Sequence, residues 1–330
     1  MKVLLVKLSS LGDVVHTLPV VQDILTAMPD AKVDWVVEKS FAPVLTEVQG
    51  LHRVIACELR NWRKSPFANA THAAWAKFKT DLQRDSYDAV IDLQGLTKSA
   101  LVARLARLAP GGKRYAMANR TDGSAYEVPT RWVADVAVAL QPRQHAVQRG
   151  RDLAARSLAY QPSAGINYGL KVPLAQLKQA RAAIKKIAFI HGTSRADKEW
   201  PLQNWLQLGK HFNAAGYQVA MVHGCAKELA TSRAIAAQID AVVWPMLGLD
   251  ALTRELRHCA GAIGVDSGVS HIAVALGLPH VQIYNFDTAW RTGPVLNGNQ
   301  VSVFARPSPS VDSVWQAWQR CHRQEAGALQ

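Results

Sequence analysis

Asp13 is the first side chain in this sequence with the type and position to do chemistry. It closes the stretch Lys7-Leu-Ser9-Ser10-Leu-Gly12-Asp13, directly after the short apolar run Val3–Val6. Such a run suits a strand covered on both faces, and the turn formers behind it open a helix. In open α/β sheets ligands bind beyond the carboxyl ends of the strands, so a carboxylate there can serve as a general base. Asp is also a favoured helix-capping residue, and at this level both roles stand.

Three later stretches suit an anion. Val265-Asp266-Ser267-Gly268-Val-Ser270-His271 breaks a buried strand into a small-residue turn that opens a helix. The positive end of the helix dipole fits a diphosphate there, with Asp266 as helix cap the plainer alternative. His191-Gly-Thr193-Ser194-Arg195-Ala-Asp197-Lys198 sets hydroxyls and cations behind another strand, where Lys198 can offset charge on a leaving diphosphate. In His223-Gly-Cys225-Ala-Lys227-Glu228, Glu228 can accept from a ribose or cap a helix. Asp287 and Thr288 extend this ring of polar strand ends.

Other chemistries lack support. The sequence has neither a GxGxxG nor a GxSxG motif, and Lys98 lacks the preceding glycine of a phosphate loop. With no HExxH, CxxC or DxD, we expect no metal site and no cofactor. Arg60-Asn-Trp62-Arg63-Lys64-Ser-Pro66 reads as a basic loop, ordinarily a solvated surface, but an exposed indole at Trp62 costs solubility unless it contacts something. His145 reads equally as a capping histidine or a ligand contact.

The elements that position these residues form two α/β halves. The 330 residues, 49% hydrophobic and 19% charged, suit two globular domains. In the first half the pattern predicts strands at 3–6, 33–37 and 89–93, with helices over 14–28, 42–49, 75–84, 100–108 and 145–158. A linker is expected over 160–183, with a helix from Pro173 to Lys185. Strands at 187–190, 219–222, 241–243, 262–265 and 280–284 then alternate with helices over 202–214, 227–238, 249–258 and 267–276. A last amphipathic helix, Val311–Arg323, carries Val314, Trp315 and Trp318 on one side. The formal charge is +13, with 22 Lys+Arg against 15 Asp+Glu in residues 1–165 and 16 against 10 thereafter. A spread of this kind fits a face for anions better than a nucleic-acid arm. Four cysteines without CxxC spacing, and no apolar run long enough to span a bilayer, lead us to expect a reduced, cytoplasmic, soluble protein.

The stretches around Asp13, Asp92-Leu-Gln94-Gly95, Asp197-Lys198-Glu-Trp200-Pro201 and Asp266–His271 together resemble the ADP-heptose:lipopolysaccharide heptosyltransferases, glycosyltransferase family 9. Asp34-Trp-Val-Val-Glu38, Trp62-Arg63-Lys64 and Gln144-His145-Ala-Val look specifically like the heptosyltransferase I branch. The resemblance implies an α/β GT-B fold of two Rossmann-like domains with parallel sheets facing a central cleft. It divides the chain into an acceptor domain (1–165), an ADP-sugar domain (166–310) and a C-terminal helix (311–330) packing back on the first domain.

It further implies inverting, metal-independent transfer of L-glycero-D-manno-heptose from ADP-heptose to the first Kdo of Kdo2-lipid A. Asp13 then stands at the catalytic base position, with Lys198 assisting the leaving group. Thr193, Ser194, Lys198, Glu228, Leu247, Asp266, Ser267, Gly268 and His271 fall where the family binds donor. Ser10, Gly12, Arg60, Arg63, Lys64, Gln94, Arg120 and Arg143 are candidates for the anionic acceptor. Asn61 stands where some relatives carry a further arginine, and Tyr284-Asn-Phe-Asp287-Thr288 replaces a commoner Tyr-Gly-Pro-Thr. The lipid acceptor and the basic first domain suggest peripheral contact with the cytoplasmic face of the inner membrane. Two rival readings are a nucleotide-sugar epimerase on the same fold and a nucleic-acid-binding module.

Overall fold

The computed structural model describes residues 1–170, 184–295 and 298–327 and divides into two units, Met1–Gly169 and Leu170–Gln330. The first unit contains β1 (Lys2–Val6), α1 (Leu11–Ala27), β2 (Lys32–Glu38), α2 (Ala42–Leu45), β3 (Arg53–Cys57), α3 (Leu59–Trp62) and α4 (Asn69–Leu82). It continues through β4 (Ser86–Asp92), α5 (Thr97–Leu105), β5 (Arg107–Met117), α6 (Pro129–Val133), β6 (Val136–Val138) and α7 (Ala146–Leu158). Its six strands pair in parallel in the order β3-β2-β1-β4-β5-β6. The order reverses between β1 and β4, where Val6 pairs with Asp92. A ligand crevice forms at such a switch point, and the loops behind β1 and β4 supply Ser9–Asp13 and Leu93–Gly95.

The second unit contains β7 (Lys186–Ile190), a 3₁₀ turn (Ala196–Lys198), α8 (Leu202–Ala214), β8 (Gln218–Met221), α9 (Ala226–Ala236), β9 (Ala241–Val243) and α10 (Leu249–Arg257). Then follow β10 (Gly261–Val265), α11 (Gly268–Ala275), β11 (His280–Tyr284), α12 (Ala289–Thr292), β12 (Gln300–Phe304) and α13 (Val311–Gly327). Its parallel sheet, β9-β8-β7-β10-β11-β12, repeats the topology of the first, with its switch point between β7 and β10. Both stretches expected to hold phosphate lie there.

The central strands are buried along almost their whole length, as a sheet layered between helices requires. One core of the first unit sets Phe78 and Leu82 of α4 and Val102 and Ala103 of α5 over Leu4, Val36, Ile55 and Val90. In the second, Trp205 and Phe212 of α8 and Val314, Ala317 and Trp318 of α13 cover Ile187, Phe189, Ile263 and Val281. Each large apolar side chain buried this way contributes about 1.5–3 kcal/mol.

The stripe of α13 expected on the first domain therefore closes the second unit's own core. Gly261 makes that possible, since a Cβ there would stand 2.4 Å from the Trp318 ring. Four strands departed from the reading, β3, β5, β6 and β12. All but β5 are sheet edges, where one exposed side replaces the continuous apolar run, and β5 carries a register shift and Pro110-Gly111-Gly112. The helix expected from Pro173 lies, over 173–183, outside the described residues.

Candidate active site

At the first switch point Asp13 supports the start of α1 without being its cap. Ser10 is the residue that caps α1, and Asp13 sits three positions on, its Oδ2 accepting the Ser10 amide at 3.0 Å and the Ser10 hydroxyl at 2.8 Å. The other oxygen, Oδ1, lies 3.8 Å from Lys7 Nζ, and the Asp13 side chain keeps 38% of its exposure. Burial pushes this carboxyl up, but Lys7, the two Ser10 donors and Arg149 outweigh it and leave it below the ordinary carboxylate value. Asp13 is thus held ionised, one oxygen fixing the helix start and the other beside a cation.

Lys7 is 5% exposed and donates to Leu93 O at 2.9 Å. Burial holds its pKa down, against the pull of Asp13 and Asp92. Asp92 accepts the amides of Gln94 (2.9 Å) and Gly95 (3.1 Å) and the Ser99 hydroxyl (2.9 Å), and burial pushes it up to about 6. Gln94 Oε1 takes the amides of Leu8 and Ser9 at 3.1 and 3.0 Å, tying the β4 loop to the β1 loop. A pocket of about 210 Å³ opens over this floor, lined by Lys7, Asp13, Gln94, Ser124 and Arg149 among others.

At the second switch point Asp266 is the hub. Its Oδ2 pairs with Lys198 Nζ at 2.6 Å, and its Oδ1 faces His271 Nε2 at 3.4 Å. Burial raises its pKa, but His271 and Lys198 prevail and hold it far below the usual range. Ser267, not Asp266, caps α11, with Gly268 as its first residue. Thr193 Oγ1 donates to the Asp266 carbonyl at 3.3 Å, joining the β7 and β10 loops. Glu228 accepts the Gly224 amide at 2.7 Å and lies so close to Gly192 that a Cβ there would be 2.4 Å from its carboxyl carbon. Together these residues give a cation, hydroxyls and a helix N-terminus at one sheet edge, a set whose chemistry suits a diphosphate. Among the described residues no three His, Cys, Asp or Glu group as a metal site would need.

The profile of glycosyltransferase family 9 (heptosyltransferase) matches residues 75–315. Lipopolysaccharide heptosyltransferase 1 of Pseudomonas aeruginosa is 36% identical over 292 residues, covering 86% of this chain and 78% of that one. The chain belongs to glycosyltransferase family 9 and is a heptosyltransferase. The structure of E. coli heptosyltransferase WaaC with ADP superposes with a TM-score of 0.85 at 30% identity, covering 97% of this chain and 100% of that one. That of the same E. coli enzyme with ADP-2-deoxy-2-fluoro heptose gives 0.80 at 32% identity, with 96% and 98% covered. The two parallel Rossmann-like sheets are those of the GT-B fold these enzymes share.

Of the residues the sequence singled out in this family 9 enzyme, Ser10, Gly12, Asp13 and Gln94 lie together at the first switch point. Thr193, Ser194, Lys198, Asp266, Ser267, Gly268 and His271 lie at the second, with Glu228 against Gly192 and Leu247 half-buried in the loop behind β9. Arg60, Arg63 and Lys64 are exposed on and behind α3, and the loop is not built as expected. Trp62 is half-buried, its ring 5.5 Å from those of Trp75 and Phe78, so it anchors the loop and leaves the cations outside. Arg120 and Arg143 are exposed, whereas Arg149, which sequence reasoning passed over, is 8% exposed and lines the Asp13 pocket. Nothing in the local sequence marks it, because it reaches the pocket through the packing of α7 on α1. Asn285 was missed too: its Nδ2 donates to the carbonyls of Asp197 and Glu199, both at 3.0 Å, and holds the turn that carries Lys198.

Proposed function

We propose that this heptosyltransferase transfers L-glycero-D-manno-heptose from ADP-heptose to the first Kdo of Kdo2-lipid A, inverting and without a metal ion, in lipopolysaccharide inner-core biosynthesis. One observation carries the reading: an ionised carboxylate, Asp13, stands in a pocket whose other charged walls are the cations Lys7 and Arg149. A neutral sugar needs no such walls. An acceptor sugar bearing its own carboxylate does, because the cations bind it while Asp13 takes the hydroxyl proton. The relatives support the same reading by name, and the similar E. coli structures contain ADP and an ADP-heptose analogue.

In the proposed step Asp13 Oδ1 accepts the proton of the Kdo hydroxyl as its oxygen attacks the anomeric carbon of heptose. The bond from that carbon to the diphosphate oxygen breaks on the opposite side, and ADP leaves with the electron pair. Lys198 and the N-terminal amides of α11 receive the growing charge. Thr193, Ser194, Ser267 and Gly268 contact the diphosphate, Asp266 holds Lys198 and His271 in place, Glu228 accepts from the ribose, and the Leu247 loop faces the base. On the acceptor side Ser10 and Gly12 shape the base loop, Gln94 fixes it, and Arg60, Arg63, Lys64, Arg120 and Arg143 meet the outlying anionic groups. No helix among the described residues is long and apolar enough to cross a membrane. The lipid-borne acceptor then places the enzyme peripherally on the cytoplasmic face of the inner membrane.

The test is transfer from ADP-heptose to Kdo2-lipid A with chelator present, by wild type and Asp13→Ala. Wild type should turn over under chelation, while Asp13→Ala should lose about 10²–10⁴ in kcat and still bind ADP. Near-normal kcat in the variant removes Asp13 as base, and conversion of ADP-heptose without acceptor turns the reading to an epimerase.

A further inference from the structure

We propose that the α3–α6 side of the first unit is a docking face for an anionic lipid bilayer, with Phe67, Leu101, Val128 and Trp132 entering the headgroup layer. Phe67 is 90% exposed and Trp132 77%, with Val128 at 52% and Leu101 at 49%. Solvated apolar side chains of this size mark contact surfaces when they lie near one another, and the segments that carry these four are packed together. Helices α4 and α5 share one core cluster over the sheet, α6 packs on α5, and α3 is fixed to α4 through Trp62.

The segments that carry the four residues are also tied to one edge of that face. Glu127 accepts the Thr97 amide at 2.7 Å, which sets Val128 beside the start of α5. Glu38 accepts the Arg60 amide at 3.3 Å and lies within electrostatic reach of Lys98, which brings the α3 loop toward the same helix start. The short helix α6, packed on α5, then carries Trp132 one turn beyond Val128.

The charge around them chooses the partner. Residues 58–68, 97–105 and 127–133 contain six Lys or Arg against two Glu. Both acids are engaged, Glu58 with Lys39 and Glu127 with Thr97. Anionic lipid headgroups attract such a ring of cations, and aromatic side chains sit well at the headgroup level. A nucleic acid would satisfy the cations but leave the aliphatic Leu101 and Val128 in water. A bilayer accommodates both. The face thereby deepens the proposed function, on which it rests for its purpose, since a lipid-borne acceptor is reached from the membrane surface.

The experiment is co-sedimentation of the full chain with vesicles of phosphatidylethanolamine and phosphatidylglycerol, against phosphatidylcholine alone, over a salt series. Wild type should bind the anionic vesicles, less so as salt rises. Phe67→Ser with Trp132→Ser should weaken binding roughly tenfold or more, and Arg104→Gln or Arg131→Gln about fivefold each with a shallower salt dependence. All these variants should keep the wild-type Tm and the wild-type rate on an acyl-free, water-soluble Kdo acceptor. The proposal is overturned if wild type ignores anionic vesicles at low salt, or if the serine variants bind as tightly as wild type. It is also overturned if size-exclusion shows that the serine pair instead breaks a dimer, which would make a second copy the occupant. Loss of transfer to the soluble acceptor by wild type would refute the enzymatic reading and leave the vesicle result standing.

Discussion

Lys7 Nζ sits 3.8 Å from Asp13 Oδ1, the lysine almost wholly buried at the end of β1 and the aspartate half-open at the start of α1. The pair comes from one seven-residue stretch, yet its electrostatics depend on the sheet, because β4 supplies the carbonyl of Leu93 that holds the ammonium. Lys7→Met should therefore remove the largest force that lowers the Asp13 pKa while keeping the apolar stem. The sign follows directly: without the cation the carboxylate is less favoured, its pKa rises, and more of the base is protonated at any mildly acidic pH. The acid limb of the kcat/KM profile for acceptor should move to higher pH, and the plateau should fall as well, because the pocket loses one of the cations proposed to bind the acceptor. An unmoved acid limb would mean that Lys7 does not set the base.

How much of this was legible follows from which residues hold their position through local chain. Ser10 and Asp13 are three apart on one helix start, and Asp266, Ser267 and Gly268 are neighbours, so their sites could be read from spacing. The alternation of apolar runs also gave eight of the strands, all those buried on both faces among them. Arg149 could not be read in this way. It reaches Asp13 only because α7 packs against α1, a contact between segments well over a hundred residues apart. For the same reason Trp62 was read as an exposed indole, since the Trp75 and Phe78 rings that receive it lie on a different helix.

Arg149 is the sharper acceptor test for that reason. Arg149→Met removes a cation from the pocket wall beside Asp13 while preserving the side chain's bulk. We expect the KM for a Kdo-bearing acceptor to rise roughly tenfold or more, with ADP affinity unchanged. The effect should exceed that of Arg143→Met, whose residue is exposed at the surface before α7. Equal effects of the two would place the acceptor anion outside this pocket.

Lys198 and Asp266 predict a donor phenotype. Lys198→Gln removes the ammonium 2.6 Å from Asp266 Oδ2 and leaves a buried carboxylate facing the His271 ring at 3.4 Å. The Kd for ADP, measured calorimetrically, should weaken about 10–100-fold, as expected for a charge-assisted contact to phosphate. Asp266→Asn should restore part of it in the double variant by removing the stranded negative charge beside the diphosphate. Additive losses in the two variants would show that they do not act as a pair.

Gly192 and Glu228 predict a coupling through shape alone. Gly192→Ala sets a Cβ where the Glu228 carboxyl now lies, so the glutamate must swing away and release the Gly224 amide. ADP binding should fall by roughly the loss seen in Glu228→Ala, and combining the two substitutions should cost little more than either. A double variant as weak as the sum of both would separate Gly192 from the ribose side.

His191 gives a pH dependence with a definite direction. It is 6% exposed, its Nε2 lies 2.8 Å from Ser232 Oγ, and burial, with His223 nearby, lowers its pKa to about 4. Between the unfolded value near 6.5 and the folded value near 4 the unfolded chain binds the extra proton, so stability is complete above the upper limit and lost as pH falls. By pH 5 the loss amounts to about 2 kcal/mol, or roughly 5 °C in the Tm of the second unit. Asp92 works the other way over part of this range, since its raised pKa of about 6 lets the folded state take up a proton first. The comparison that isolates His191 is therefore wild type against His191→Asn at each pH, in which the Asp92 contribution cancels. The variant, which keeps a hydrogen-bonding side chain for Ser232 but cannot titrate, should show a flatter decline in Tm from pH 7 to 5. Parallel curves would mean that His191 is protonated in the folded state, and that its burial does not limit acid stability.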